Sequence, residues 1–225
     1  RLASDLGSRV VFEQELQALN ESLIRMGETV EHSIETTFQA FQDNNHETLE
    51  TIIRSDNSVD EMERDIESKC FSLMLRQQPV AKDLRHISMA LKVVTDLERI
   101  GDHAVDIAEL ALRLDQRDAQ SMIQFLPEMV SNVKAMLQGA IRAFVRKDLE
   151  LARSMEERDD IIDGLFNRVK QEAVKLLKED AAEPDKVVDL LMIAKYLERI
   201  GDHAVNVCEW TEFFDTGLVK NVRIL

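Results

Sequence analysis

Residues 97–105 read Leu-Glu-Arg-Ile-Gly-Asp-His-Ala-Val, and residues 197–205 read the same nine residues again. An exact recurrence of this length within 225 residues marks an internal repeat. The match continues upstream at a different separation. Asp56-Asn57-Ser58-Val59-Asp60 aligns with Asp159-Asp160-Ile161-Ile162-Asp163, Ala40-Phe41 with Ala143-Phe144, and Met26 and Val30 with Met129 and Val133. The separation is 103 residues there and 100 at the repeated nonapeptide, so the second unit is three residues shorter between these anchors. The turns holding Pro79 and Pro184 are the expected place of that difference.

Each unit reads as three helices. The spacing predicts helices over Val10–Gln42, His46–Arg76 and Val80–Leu114, and again over Ile123–Arg146, Asp148–Lys178 and Pro184–Phe214. Asn45 and Asp148 occupy equivalent positions as expected N-caps. Pro79 and Pro184 suit helix starts, where a missing N–H removes no bond. On the third helix Ile87, Leu91, Val94, Gly101, Val105, Ala108 and Leu112 fall on one stripe, as do Val187, Leu191, Ala194, Gly201, Val205 and Cys208 in the second unit. The expected fold is all-α: two tandem, pseudo-symmetric three-helix bundles with six long helices. The first domain spans residues 1–115 and the second residues 116–225.

Composition agrees with long helices. The chain is 44% hydrophobic and 32% charged, with only seven Gly and three Pro. Its formal net charge of −15 repels nucleic acid and anionic lipid and attracts cations or a basic partner surface. Cys70 and Cys208 lack metal-type spacing and do not match between units, so both read as buried thiols in a reducing compartment. No apolar run approaches the roughly 20 residues a membrane span needs. No signal-peptide pattern opens the sequence, and a few residues are expected to be missing before Arg1. A cytoplasmic protein is expected.

The charged residues next to the stripe carry the functional signal. Glu98, Asp102 and Asp106 are spaced one helical turn apart and lie within about 80° of one another, bordering the apolar stripe rather than opposing it. Glu109 falls between them in angle. Glu198, Asp202, Asn206 and Glu209 repeat the set, with Asn206 a departure. The second helix of each unit adds a pair, Asp56 and Asp60, then Asp159 and Asp163. Glu63 and Glu67 extend the acidic edge in the first unit only.

Like charges at i, i+4 destabilise a helix by a few tenths of a kcal/mol, and more beside a low-dielectric core. Arg99 and Arg199 offer one compensation; a bound cation is the other. A lone acidic pair reads as a solvated face, but recurrence on two helices of both units favours a metal site. The oxygen donors suit iron, manganese, magnesium or calcium, with zinc if His103 or His203 turns in. Gly101 and Gly201 each cost about 1 kcal/mol relative to Ala inside a helix. A small residue there lets a neighbouring helix approach and brings the carboxylates within bridging distance. Hydrogen bonding is as good a reading of the two histidines as ligation.

The doubled LERIGDHA segment, the paired D-x-x-x-D and E-x-x-x-D motifs and the segment RQQPVAKDLR at residues 76–85 resemble the PhoU family of phosphate-uptake regulators over nearly the whole chain. The resemblance implies multinuclear iron or zinc clusters held by Asp56, Asp60, Glu98, Asp102 and Asp106 in the first unit. In the second it implies Asp159, Asp163, Glu198 and Asp202. It also implies a non-enzymatic cytoplasmic adaptor, often dimeric, between the ATPase subunit of the phosphate ABC transporter and a phosphate-responsive sensor histidine kinase. Such an adaptor represses phosphate-starvation genes. RQQPVAKDLR has no counterpart in the second unit and is a candidate partner face.

No phosphate-cradling Gly loop, nucleophile motif or basic anion pocket is visible. The competing reading is a carboxylate-bridged di-iron oxidase of the ferritin-like kind. Such sites use Glu-x-x-His, and every His of this chain has another residue at i−3.

Overall fold

The structure is a computed structural model that describes the backbone of residues 2–55, 57–76 and 79–216. Among the described residues there are nine helical segments and no strand. In the first unit these are α1 (Leu2–Gln42), α2 (His46–Arg54), α3 (Asn57–Arg76) and α4 (Ala81–Ala111). A short α5 (Gln120–Ile123) lies in the connection. The second unit contains α6 (Leu126–Arg146), α7 (Leu149–Glu157), α8 (Asp159–Lys178) and α9 (Pro184–Thr216). Together α2 with α3 and α7 with α8 form the middle rods, so six long rods make two three-helix bundles.

Local chemistry explains most of the boundaries. Asn45 caps α2 by accepting from the Thr48 N–H at 3.1 Å, and Asp148 caps α7 by accepting from the Leu151 N–H at 3.0 Å. The residue before each cap, Asn44 or Lys147, is left-handed at φ 52° and 56°, which turns the chain out of α1 and α6. Pro184 opens α9 as expected, whereas Pro79 stands two residues before Ala81, with extended Val80 as the N-cap. Pro127 holds the first turn of α6.

The middle rods are interrupted where the sequence predicts continuous helices. Between α2 and α3 the run Ser55-Asp56-Asn57-Ser58 offers short polar side chains that compete for backbone groups. The Ser55 hydroxyl donates to the Ile52 carbonyl at 3.0 Å and the Ser58 hydroxyl to the Ser55 carbonyl at 3.1 Å. In the second unit Arg158 interrupts the ladder with helical angles retained. Both interruptions fall at the start of the acidic D-x-x-x-D segment.

The core includes part of the predicted stripes and extends beyond them: Ile87, Val94, Gly101, Ala108, Val187, Ala194, Gly201 and Cys208 are buried, but Leu91, Val105, Leu112, Leu191 and Val205 are half-buried at its edge. Leu19, Leu23, Met26 and Val30 of α1 are fully buried, as are Ile87, Val94, Leu97 and Ile100 of α4 and Ile193, Leu197 and Ile200 of α9. Burying one such side chain contributes about 1.5–3 kcal/mol. Cys70 and Cys208 are free and buried, and burial pushes the Cys70 thiol up to about 12. The two bundles meet side by side, α4 packing chiefly against α9 and α1 against α6. No described helix is long and apolar enough to cross a membrane.

Candidate metal centre

The interruption before α3 and the glycine on α4 together create the first acidic cluster. A Cβ added at Gly101 would lie 3.1 Å from Val59 Cγ1, tighter than ordinary packing, so the Val59 side chain of α3 seats directly against the α4 backbone at this point. Their acidic edges consequently converge. One carboxylate oxygen from each of Asp60, Glu98 and Asp102 lies within 4.8 Å of the other two. Asp56 lies outside the described residues. Asp106 stands apart from the triad, with its carboxylate 3.3 Å from His103 Nδ1.

Crowding changes the acidity of this cluster. Burial, the hydrogen bond with Asp102 and the charges of Asp102, Glu63 and Asp60 push the Glu98 carboxyl up to about 7. Burial and the charge of Glu67 also raise Glu63. Arg99 offers little compensation, since it is 61% exposed and 4.0 Å from Glu98.

The second unit matches in position but not in closeness: among the described residues only Asp60, Glu98 and Asp102 converge within that distance, and Asp159, Asp163, Glu198 and Asp202 form no such triad. Gly201 faces α8, and an added Cβ would be 3.4 Å from Asp159 Oδ1. Burial and the charges of Asp163, Asp202, Glu198 and Asp160 push Asp159 up to about 6. Burial, then Glu198, raises both Asp163 and Asp202. Asp159 Oδ1 is buried with no hydrogen-bond partner, which is costly for a polar atom. Lys195 reaches in, its Nζ 2.7 Å from Glu198 Oε1.

These shifts predict a pH dependence. A carboxyl raised in the folded state contributes stability that is fully present below its unfolded pKa and lost as pH rises through the folded value. For Glu98 and Asp159 that loss runs from the ordinary carboxylate range to about 7 and about 6. Metal-free protein is therefore expected to melt at a higher temperature at about pH 5 than at about pH 8 in buffers of matched ionic strength. A rise in melting temperature between those values would contradict the folded-state crowding.

The two histidines of the repeated nonapeptide do not complete the clusters. They face each other across the α4–α9 seam, with ring centroids 5.6 Å apart. His103 stacks on Tyr196 at 5.3 Å. Opposite it, buried Asp96 accepts from His203 Nδ1 at 3.0 Å, Asn206 Nδ2 at 3.1 Å and Trp210 Nε1 at 3.0 Å. Position 96 matches position 196 in the repeat, so each unit sends that residue to the other unit's histidine. Asn206, read from sequence as a weakened ligand, has its amide committed to Asp96. Buried His86, given no role from sequence, bonds Asn20 through Nε2 at 2.9 Å and stacks on Phe144.

Of RQQPVAKDLR, residues 77 and 78 lie outside the described residues. Asp83 is buried and pairs with Arg9 at 2.6 Å, while Val80 and Leu84 are exposed. Each cluster draws its carboxylates from two helices and no Glu-x-x-His is present, so nothing here supports the di-iron oxidase reading.

Comparison with known proteins agrees with this fold. The family described as PhoU domain matches twice, over residues 23–111 and 126–211, once in each unit. The chain is 38% identical over 211 residues to the phosphate-specific transport system accessory protein PhoU homolog of Clostridium acetobutylicum, covering 93% of this chain and 96% of that one. The crystal structure of PhoU from Pseudomonas aeruginosa superposes with a TM-score of 0.85 at 32% identity, covering 92% of this chain and all of the other. That of the phosphate transport system regulatory protein PhoU from Streptococcus pneumoniae superposes at 0.87 with 27% identity over 94% of this chain. Both units and the helical fold are thus shared with these proteins, and the chain belongs to the PhoU family.

Proposed function

We propose that the chain is a cytoplasmic, non-catalytic regulator of phosphate uptake and phosphate homeostasis. In this reading it restrains phosphate-starvation signalling, as a homodimer, by linking the ATPase subunit of a phosphate ABC transporter to a sensor histidine kinase. One observation carries the reading: a relative named as a phosphate-specific transport accessory protein aligns over 93% of the chain, both repeats included.

The reading includes iron or zinc in the two acidic clusters. The donor set fits: the carboxylates are oxygen ligands on adjacent helices, suited to hard or borderline cations. The buried Asp159 Oδ1 lacks a partner, as a ligand atom held ready would. A bound cation would supply positive charge between α3 and α4 and between α8 and α9. The residues themselves do the positioning: Gly101 and Gly201 set the helix spacing, and the Ser55 and Arg158 interruptions aim the first turn of the acidic segment.

The regulatory reading is tested in a bacterial host deleted for its own PhoU. Expression of this chain is expected to restore repression of a phosphate-starvation reporter in phosphate-rich medium. A reporter that stays fully active with the chain present at normal level would overturn it. The partner face is tested by capture of the purified ATPase subunit and kinase. Val80 and Leu84 are 60% and 44% exposed, and Val80→Glu with Leu84→Glu should lower capture of one partner at least about tenfold. Undiminished capture of both would place the interface elsewhere.

A further inference from the structure

The two acidic clusters occupy matched places in the repeat, but their surroundings diverge: Asn57 becomes Asp160, which adds one negative charge to the second unit, while three other exchanges run the opposite way. Along α3 and α8, Glu63 and Glu67 of the first unit become Phe166 and Lys170. Along α4 and α9, Thr95 becomes Lys195. Two carboxylates are lost and two ammonium groups gained, so the second unit is less negative by four formal charges at these three positions.

The side chains show what the exchange does. Lys195 Nζ lies 2.7 Å from Glu198 Oε1 and 5.1 Å from the centroid of the Phe166 ring, which stands where the first unit has Glu63. The ring gives the ammonium a favourable face and removes a competing acid. Asp163 and Asp202 also feel the charge of Lys195. In the first unit Thr95 turns its hydroxyl back to the Leu91 carbonyl at 3.1 Å, so no ammonium stands at this position beside the Asp60–Glu98–Asp102 triad.

We propose that the chain has two unequal cation centres: the first unit takes a multivalent cation tightly, while Lys195 serves the second as a resident counter-ion that an incoming cation must displace. This rests on the metal reading above. Lys195 is then a specificity-determining residue that sets the order in which the two bundles load. The centre of the first unit responds to scarce metal and that of the second to abundant metal.

The experiment is calorimetric titration of the metal-free, full-length chain with zinc(II). Wild type is expected to show a tight phase followed by a weak one. Glu98→Gln with Asp102→Asn should remove the tight phase, which assigns it to the first unit. Lys195→Thr, which installs the residue of the first unit, should strengthen the weak phase at least about tenfold after allowance for screening. The reciprocal Thr95→Lys should weaken the tight phase by a similar factor. Thr95 is exposed and Lys195 half-exposed, so both substitutions leave the core intact, and circular dichroism verifies this. Equal affinities in wild type, or a weak phase unmoved by Lys195→Thr, would overturn the proposal while leaving the metal reading standing. No zinc uptake by wild type or by Lys195→Thr would overturn both.

Discussion

Asp96→Ala is expected to lower the free energy of unfolding by about 3–4 kcal/mol, the largest effect of any single polar substitution in the chain. The carboxylate is buried and accepts three hydrogen bonds, from His203, Asn206 and Trp210. All three donors sit on α9, so one residue of α4 satisfies donors spread over about two turns of the other bundle. Alanine removes the acceptor and leaves three half-buried donors without it. Asp96→Asn separates charge from hydrogen bonding. Its amide oxygen still accepts from His203 and Asn206, but its NH2 opposes the Trp210 N–H, so about half the loss is expected. Urea denaturation followed by circular dichroism measures both. A loss below about 1 kcal/mol for Asp96→Ala would show that water replaces the carboxylate and that the seam is not held at this point.

Loading with metal is expected to raise the melting temperature by about 5–10 °C at a cation concentration near a hundred times Kd. The acidic clusters set the sign. In the metal-free state partial burial and neighbouring carboxylates push Glu98 up to about 7 and Asp159 up to about 6, so ionising each carries a cost that a bound cation would relieve. Glu98→Gln with Asp102→Asn removes that repulsion. The metal-free variant should therefore match or exceed wild type in melting temperature while losing the rise contributed by the first unit. Wild-type and variant proteins with and without iron or zinc, scanned side by side, check this. A variant that melts well below metal-free wild type would mean that these carboxylates stabilise the fold directly.

Much of this was legible in the sequence, because a repeat writes its pattern twice. The apolar stripes, the Asn45 and Asp148 caps and the small residues at Gly101 and Gly201 follow from local periodicity and backbone chemistry. The convergence of Asp60, Glu98 and Asp102 follows once α3 and α4 are known to touch. The interruption at Ser55 had a visible signal, a run of four short polar residues, which the longer helical periodicity masked. At Arg158 the neighbouring residues are all charged, with no such signal.

What could not be read depends on how the two bundles face each other. Asp96 has Tyr196 as its repeat partner and so falls outside the repeated acidic pattern, and its role appears only when α4 packs on α9. Asn206 looked like a damaged ligand because its repeat partner is an aspartate, yet its angle on α9 turns it to the seam. Asp106, matched with it, likewise meets His103. Lys195 was visible as a difference between repeats, but its charge acquires meaning only 2.7 Å from Glu198.

The central claim is that the repeated acidic edges are cation centres. It is tested most directly by metal analysis of the chain purified after expression with iron and zinc, in wild type and in Asp60→Asn/Glu98→Gln/Asp102→Asn. Wild type is expected to hold about one or more equivalents of iron or zinc per chain, at least half of it lost in the variant with helicity unchanged. Fewer than about 0.2 equivalents in wild type, or the same content in both proteins, would contradict it.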